Sequence, residues 1–174
     1  MSDNLTNAEY AILGLLVEKP CHGYDLERLI ETRGMREWTE LAFSSIYYIL
    51  KRLEKRGAIA PQKPGKRKTR KTYAPTPDGF ALHAKTTLHL LEKPGPSYPT
   101  ILLAMANWPV LKPDQALAAL RNRRLELDKT KQRLIAKTPP APDFVTVLFD
   151  YSVSQICCET DWIERTLEKL GEKT

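Results

Sequence analysis

The chain has 174 residues, with 27 Lys+Arg against 21 Asp+Glu and a net charge of +6. A hydrophobic share of 42% beside 28% charged residues supplies a core and excludes a wholly disordered, collagen-like or disulfide-built chain. The longest apolar run, residues 11–17, is interrupted by Gly14 and falls far short of the roughly 20 residues that a membrane-spanning helix needs.

The opening Met1-Ser2-Asp3-Asn4 lacks the basic start of a secretory signal, and the three cysteines, Cys21, Cys157 and Cys158, have no metal-like spacing. A reducing, cytoplasmic setting is therefore expected. Apart from Pro20, the 13 prolines cluster at 61–77, 94–113 and 139–142. Proline removes a helix hydrogen bond and clashes with the preceding turn, so these clusters divide the chain into helical stretches.

The first helix is predicted from Thr6, with Glu9 completing a capping box, to about residue 18. After Pro20, His22-Gly23-Tyr24-Asp25 opens a second helix whose Leu26, Leu29 and Ile30 share a face and which ends near Gly34. Ser44 or Ser45 can cap a third helix, which Gly57 stops. With Ile46 at 0° and about 100° per residue, Ile49, Leu50 and Leu53 complete an apolar stripe centred near 350°. Ser44, Tyr48, Lys51 and Lys55 lie on the opposite arc, with Arg52 and Ser45 toward one flank. Tyr47 falls between, as a boundary packing residue. Two short strands, 58–60 and 71–74, are joined by a basic loop holding Pro64-Gly65, which makes a β-hairpin.

Three helices and a hairpin in this order describe a winged helix-turn-helix, in which the third helix enters the major groove and the wing touches flanking backbone. Charge supports that placement. Residues 51–71 hold ten cations and one acid, a net +9 in a chain whose remainder is −3. Such a block points to a polyanion at one face. Hydroxyls and Tyr48 at the start of the third helix suit base edges, and the later cations suit phosphates. The expected DNA-binding set is His22, Tyr24, Ser44, Ser45, Tyr48, Lys51, Arg52 and Lys55, with Lys66, Arg67, Lys68, Arg70 and Lys71 from the wing. His22 reads equally as a neighbour of the DNA backbone or as a helix cap.

These residues resemble the PadR family of bacterial transcriptional regulators. The matching motifs are Ile12-Leu13-Gly14-Leu15-Leu16, His22-Gly23-Tyr24-Asp25-Leu26, Ser45-Ile46-Tyr47-Tyr48-Ile49-Leu50, Leu53-Glu54-Lys55-Arg56-Gly57 and Tyr73-Ala74-Pro75-Thr76-Pro77-Asp78-Gly79. They run in the family's order through residues 8–80. Ala58 replaces a larger apolar residue, and Pro75 and Pro77 stiffen the exit from the wing. The resemblance implies a homodimeric, usually repressing regulator with a C-terminal helical dimer interface, sometimes responsive to small aromatic molecules. The length of the C-terminal half resembles the larger-bodied branch of the family.

That half predicts long helices over 114–137 and 143–170. Leu117, Leu120, Leu127 and Leu134 form a seam interrupted by Arg124 and Lys131. The last helix carries two stripes, one including Phe149, Ile156, Ile163 and Leu167. One stripe is expected to pack within the chain and the other on a second subunit. The dimerisation set is accordingly Leu117, Leu120, Leu127, Leu134, Phe149, Ile156, Ile163 and Leu167. Tyr98, Trp108, Phe144, Tyr151 and Trp162 are candidate effector-binding aromatics, although aromatics at helical spacing also serve as core. Adjacent helical cysteines point about 100° apart and read as core fillers more readily than as a redox pair.

The fold expected is mostly α with a small β-hairpin: a winged helix DNA-binding domain over 1–92 and a helical dimerisation domain over 93–174. No catalytic residue, metal site or cofactor is expected, because the three histidines share no ligand spacing and no phosphate loop occurs. The partners are double-stranded DNA, a second copy of the chain and a small aromatic effector. The alternative is a winged-helix adaptor that binds acidic proteins without an operator.

Overall fold

In the computed structural model, described for residues 5–35, 46–62, 71–137 and 143–171, seven α-helices and one three-stranded sheet follow in chain order. These are α1 (Asn7–Glu18), β1 (Cys21–His22), α2 (Gly23–Thr32), α3 (Ile46–Lys55), β2 (Ile59–Pro61), β3 (Thr72–Pro75), α4 (Pro77–Glu92), α5 (Thr100–Ala106), α6 (Pro113–Lys137) and α7 (Asp143–Gly171). A 3-10 turn at Trp108–Val110 follows α5. The chain divides into two compact units, Met1–Pro96 and Ser97–Thr174.

In the first unit, α1 begins with the expected capping box: the Thr6 hydroxyl accepts from the Glu9 N–H at 3.2 Å, and the Glu9 carboxylate accepts from the Thr6 N–H at 2.9 Å. Its buried Ile12, Leu13, Leu15 and Leu16 meet Leu26 and Ile30 of α2 and the Ile46, Ile49, Leu50, Leu53 stripe of α3 in one core. The expected inner face of α3 is therefore its buried face. Gly57, at φ 74°, ends that helix. The Ala58 N–H donates to the Leu53 carbonyl and the Gly57 N–H to the Glu54 carbonyl, a Schellman arrangement that turns the chain directly into β2.

The hairpin gains a strand that the sequence did not announce. β1 pairs antiparallel with β3 through Cys21 opposite Tyr73 and His22 opposite Thr72, so the sheet order is β1-β3-β2. Two residues between Pro20 and a helix carry no alternating pattern, and only the partner 50 positions later makes them a strand. Pro75 and Pro77 shape the exit: Pro77 takes the first position of α4, where a missing N–H costs nothing. The Thr76 hydroxyl caps α4 through the Gly79 N–H at 3.0 Å and donates to the Gly57 carbonyl at 2.6 Å.

In the second unit, α6 and α7 pack against each other. Arg124 pairs with Glu164 at 3.0 Å, and Arg123 pairs with Glu159. Of the charged positions that interrupt the α6 seam, Arg124 is thus taken up within the chain by Glu164, and Cys157 beside Lys131 raises the lysine pKa. The short α5 was not expected, since its seven residues lie inside the proline-rich 94–113 stretch. Among the described residues no helix is long and apolar enough to cross a membrane.

Candidate nucleic-acid interface

The surface of interest begins with the outer side of α3. Its inner stripe is fully engaged in the core, so helical geometry turns Tyr48, Lys51 and Lys55 outward, and all three are exposed. Tyr24, in the first turn of α2, is exposed as well, and Lys71 lies exposed at the foot of β3. Ser44, Ser45, Lys66, Arg67, Lys68 and Arg70 lie outside the described residues.

His22 occupies the N-cap position of α2 without capping it. Its Nδ1 sits 3.1 Å from the Thr72 hydroxyl, which ties the start of α2 to the base of the wing. Tyr47 stands at the boundary as expected, packed on one side and 64% exposed overall. Its packed side rests on Gly23, whose missing side chain lets the Tyr47 ring lie against the α2 backbone; a Cβ there would stand 2.7 Å from the ring. Tyr47 thus joins Tyr24 and Tyr48 in presenting aromatic surface to solvent. A hollow of about 270 Å³ is lined by Tyr24 and Tyr47 together with Glu27, Arg28 and Glu31.

The cations of α3 separate into two kinds. Lys51 and Lys55 extend into solvent, whereas Arg52 and Arg56 reach back to Glu9 of α1. The Glu9 side chain is only 1% exposed; Arg52 Nε stands 2.9 Å from its Oε1 and Arg56 Nη1 3.6 Å from its Oε2. Glu9 Oε1 receives no well-directed hydrogen bond despite that distance, so the attraction there is chiefly between charges. The Arg52 guanidinium also lies over the Tyr48 ring, 5.7 Å from its centre.

Other titratable groups mark rigid parts of the first unit. His83 of α4 stacks on Tyr10 of α1 at 4.9 Å and 19° between planes, and burial lowers its pKa. The Tyr10 hydroxyl bonds with Thr87 at 2.8 Å. Burial, reinforced by Asp25, pushes the Cys21 thiol up to about 11. Among the described residues no group of three or more His, Cys, Asp or Glu could hold a metal ion.

The residues expected at a subunit interface divide as well. Leu120 and Ile163 are buried within the chain itself, which removes them from any surface offered to a partner. This corrects their expected place: the α6 and α7 contact already covers both. Leu117, Leu127, Leu134, Phe149, Ile156 and Leu167 are half-buried. Of the five aromatics, Tyr98 and Tyr151 are exposed and Trp108 and Trp162 half-buried, while the Phe144 side chain lies outside the described residues.

Residues 12–85 match the model of the transcriptional regulator PadR-like family. Among solved structures, Bacillus subtilis PadR in complex with p-coumaric acid is similar at a TM-score of 0.77 and 21% identity, covering 94% of this chain and 98% of that one. The same Bacillus subtilis protein in complex with operator DNA gives 0.72 and 21%, covering 93% and 98%. A PadR-like transcriptional regulator from Bacillus cereus gives 0.66 and 18%, covering 97% and 100%. No curated protein sequence matches the chain.

Proposed function

We infer that this chain, which carries the PadR-like regulator domain over residues 12–85, acts as a homodimeric DNA-binding repressor in the cytoplasm. Proteins of this family are transcriptional regulators, not enzymes. The observation that carries the reading is the outward face of α3, where exposed Tyr48, Lys51 and Lys55 stand opposite a fully buried stripe. Tyr48, Ser44 and Ser45 would meet base edges. Lys51, Lys55, Lys71 and the wing's Lys66, Arg67, Lys68 and Arg70 would meet phosphates, with His22 and Tyr24 at the start of α2 beside them. The operator complex of the Bacillus subtilis relative, a protein of the same fold, supports this use of the face.

A single winged helix reads one half-site, so tight recognition calls for two copies spaced by about one DNA turn, roughly 34 Å, on a palindromic operator. Residues 1–92 supply the DNA-binding part and 93–174 the dimerisation part. The second unit supports that division, because large apolar side chains such as Leu103, Val110 and Val147 stand exposed in the single chain. A small aromatic effector is proposed near Tyr98, Trp108, Phe144, Tyr151 and Trp162, supported by the p-coumaric acid complex of the same relative. It would relieve repression by binding the DNA-incompetent dimer more tightly than the competent one.

The deciding experiment is selection of duplexes from a random pool, followed by titration at several salt concentrations. A recovered palindrome that binds at least 10³ times more tightly than random duplex, with affinity falling as salt rises, supports the regulator. Absence of any preferred duplex would overturn it and favour an adaptor for acidic proteins.

A further inference from the structure

Among the described residues Glu9 is the only charged side chain in the buried class. A carboxylate so placed carries a desolvation penalty that only close cations offset, and removing them strands the charge. Arg52 and Arg56, four residues apart on α3, are those cations. Their side chains are 44% and 20% exposed, so both reach inward from the rim of the helix while Lys51 and Lys55 remain on its outer side. The wheel agrees: Arg52 and Arg56 fall at about 240° and 280°, between the outer arc and the core stripe.

We propose that Glu9 is a specificity-determining residue, which withholds Arg52 and Arg56 from the DNA backbone and leaves Lys51 and Lys55 as the phosphate contacts of α3. The inference rests on the DNA-binding reading and refines it. Swinging Arg52 toward a phosphate would loosen its hold on a buried carboxylate and move it off the Tyr48 ring. Each phosphate contact adds sequence-blind affinity. With two cations withheld from α3, that component falls, and base contacts such as those of Tyr48 count for more of the total. Anchoring Arg52 also keeps the Tyr48 ring under a fixed guanidinium, on the side from which bases would be read.

The test uses the full-length chain and a mixed-sequence duplex, with binding followed by fluorescence anisotropy over a salt series. Lys51→Ala should make the logarithmic salt slope shallower by about 0.9, the value of one lost phosphate contact. Arg52→Gln should leave the slope at the wild-type value. Glu9→Gln keeps a side chain that can still complete the capping box, and it frees the arginines. It should steepen the slope by about 0.9 to 1.8 and raise affinity for mixed-sequence DNA. The double variant Glu9→Gln/Arg52→Gln should lose part of that gain.

An Arg52→Gln slope as shallow as that of Lys51→Ala would overturn the proposal, since Arg52 would then already be a phosphate contact. So would an unchanged slope in a folded Glu9→Gln protein. Should circular dichroism show Glu9→Gln unfolded, the comparison of Arg52→Gln with Lys51→Ala decides alone. No duplex binding by the wild type at low salt would instead overturn the DNA-binding reading itself, and this inference with it.

Discussion

Gly79 lies so close to Ala58 that a Cβ added to it would stand 1.9 Å from the Ala58 carbonyl oxygen. The same carbonyl accepts the Thr76 N–H at 3.0 Å, and the Thr76 hydroxyl reaches the Gly57 carbonyl. The first turn of α4 is therefore seated on the junction between α3 and the wing, and its distance there is set by backbone rather than by a yielding side chain. Gly79→Ala should destabilise the protein by about 1–3 kcal/mol, the usual cost of overpacking a closed site. Gly95→Ala, which meets nothing within 4 Å, is the matched control. Urea denaturation of both variants checks this, and equal midpoints would contradict it.

His83 gives the first unit a pH dependence whose sign follows from burial. Its folded pKa lies below the ordinary 6.5, so between the two values the unfolded chain binds more protons than the folded one. The stability that neutral His83 contributes is complete above about pH 6.5 and is lost as pH falls through that value toward the folded pKa. His83→Phe retains an aromatic partner for Tyr10 and removes the titration. The expected outcome is a flatter dependence of melting temperature on pH between about 5 and 7 than in the wild type. Identical profiles would remove His83 from the account.

The face of α3 and the wing should separate affinity from preference. Replacing Arg67 and Lys68 together by Ala should weaken binding to all duplexes alike and reduce the salt slope by up to about 1.8. Tyr48→Ala should instead change the ranking of duplex sequences, by about 1–3 kcal/mol at the base pair it meets. Titrations against a selected site and its single-base variants distinguish the two effects. A uniform loss for Tyr48→Ala would assign it to the backbone.

Every side chain of the first unit's core, from Leu5 to Leu82, comes from within Met1–Pro96. A chain ending at Glu92 should consequently retain a cooperative melting transition while sedimenting as a monomer. Its duplex affinity should fall by at least about tenfold, as expected when one half-site is read instead of two. The full-length protein should sediment as a dimer at micromolar concentration. A monomeric full-length chain would leave the proposed two-half-site reading without support.

Much of the first unit was legible because its signals are local. The Thr6 and Glu9 capping box, the Ile46, Ile49, Leu50, Leu53 stripe and the stop at Gly57 each depend on residues within one or two helical turns, where periodicity and backbone sterics decide the outcome. Such signals also ordered the three helices and the hairpin, and they turned Tyr48, Lys51 and Lys55 outward. They could assign a face to each helix but not a partner to that face. The β1 strand needed Thr72 and Tyr73, the seat of the Tyr47 ring needed Gly23, and the division of the α3 cations needed Glu9, 43 and 47 positions away from Arg52 and Arg56. Glu9 reads completely as a capping residue in the sequence, and only the packing of α1 on α3 set Arg52 beside one of its carboxylate oxygens and Arg56 beside the other. Charge composition sums over a chain, whereas the energy of a charge depends on its burial and its nearest opposite charge, and both are set by how the helices cross.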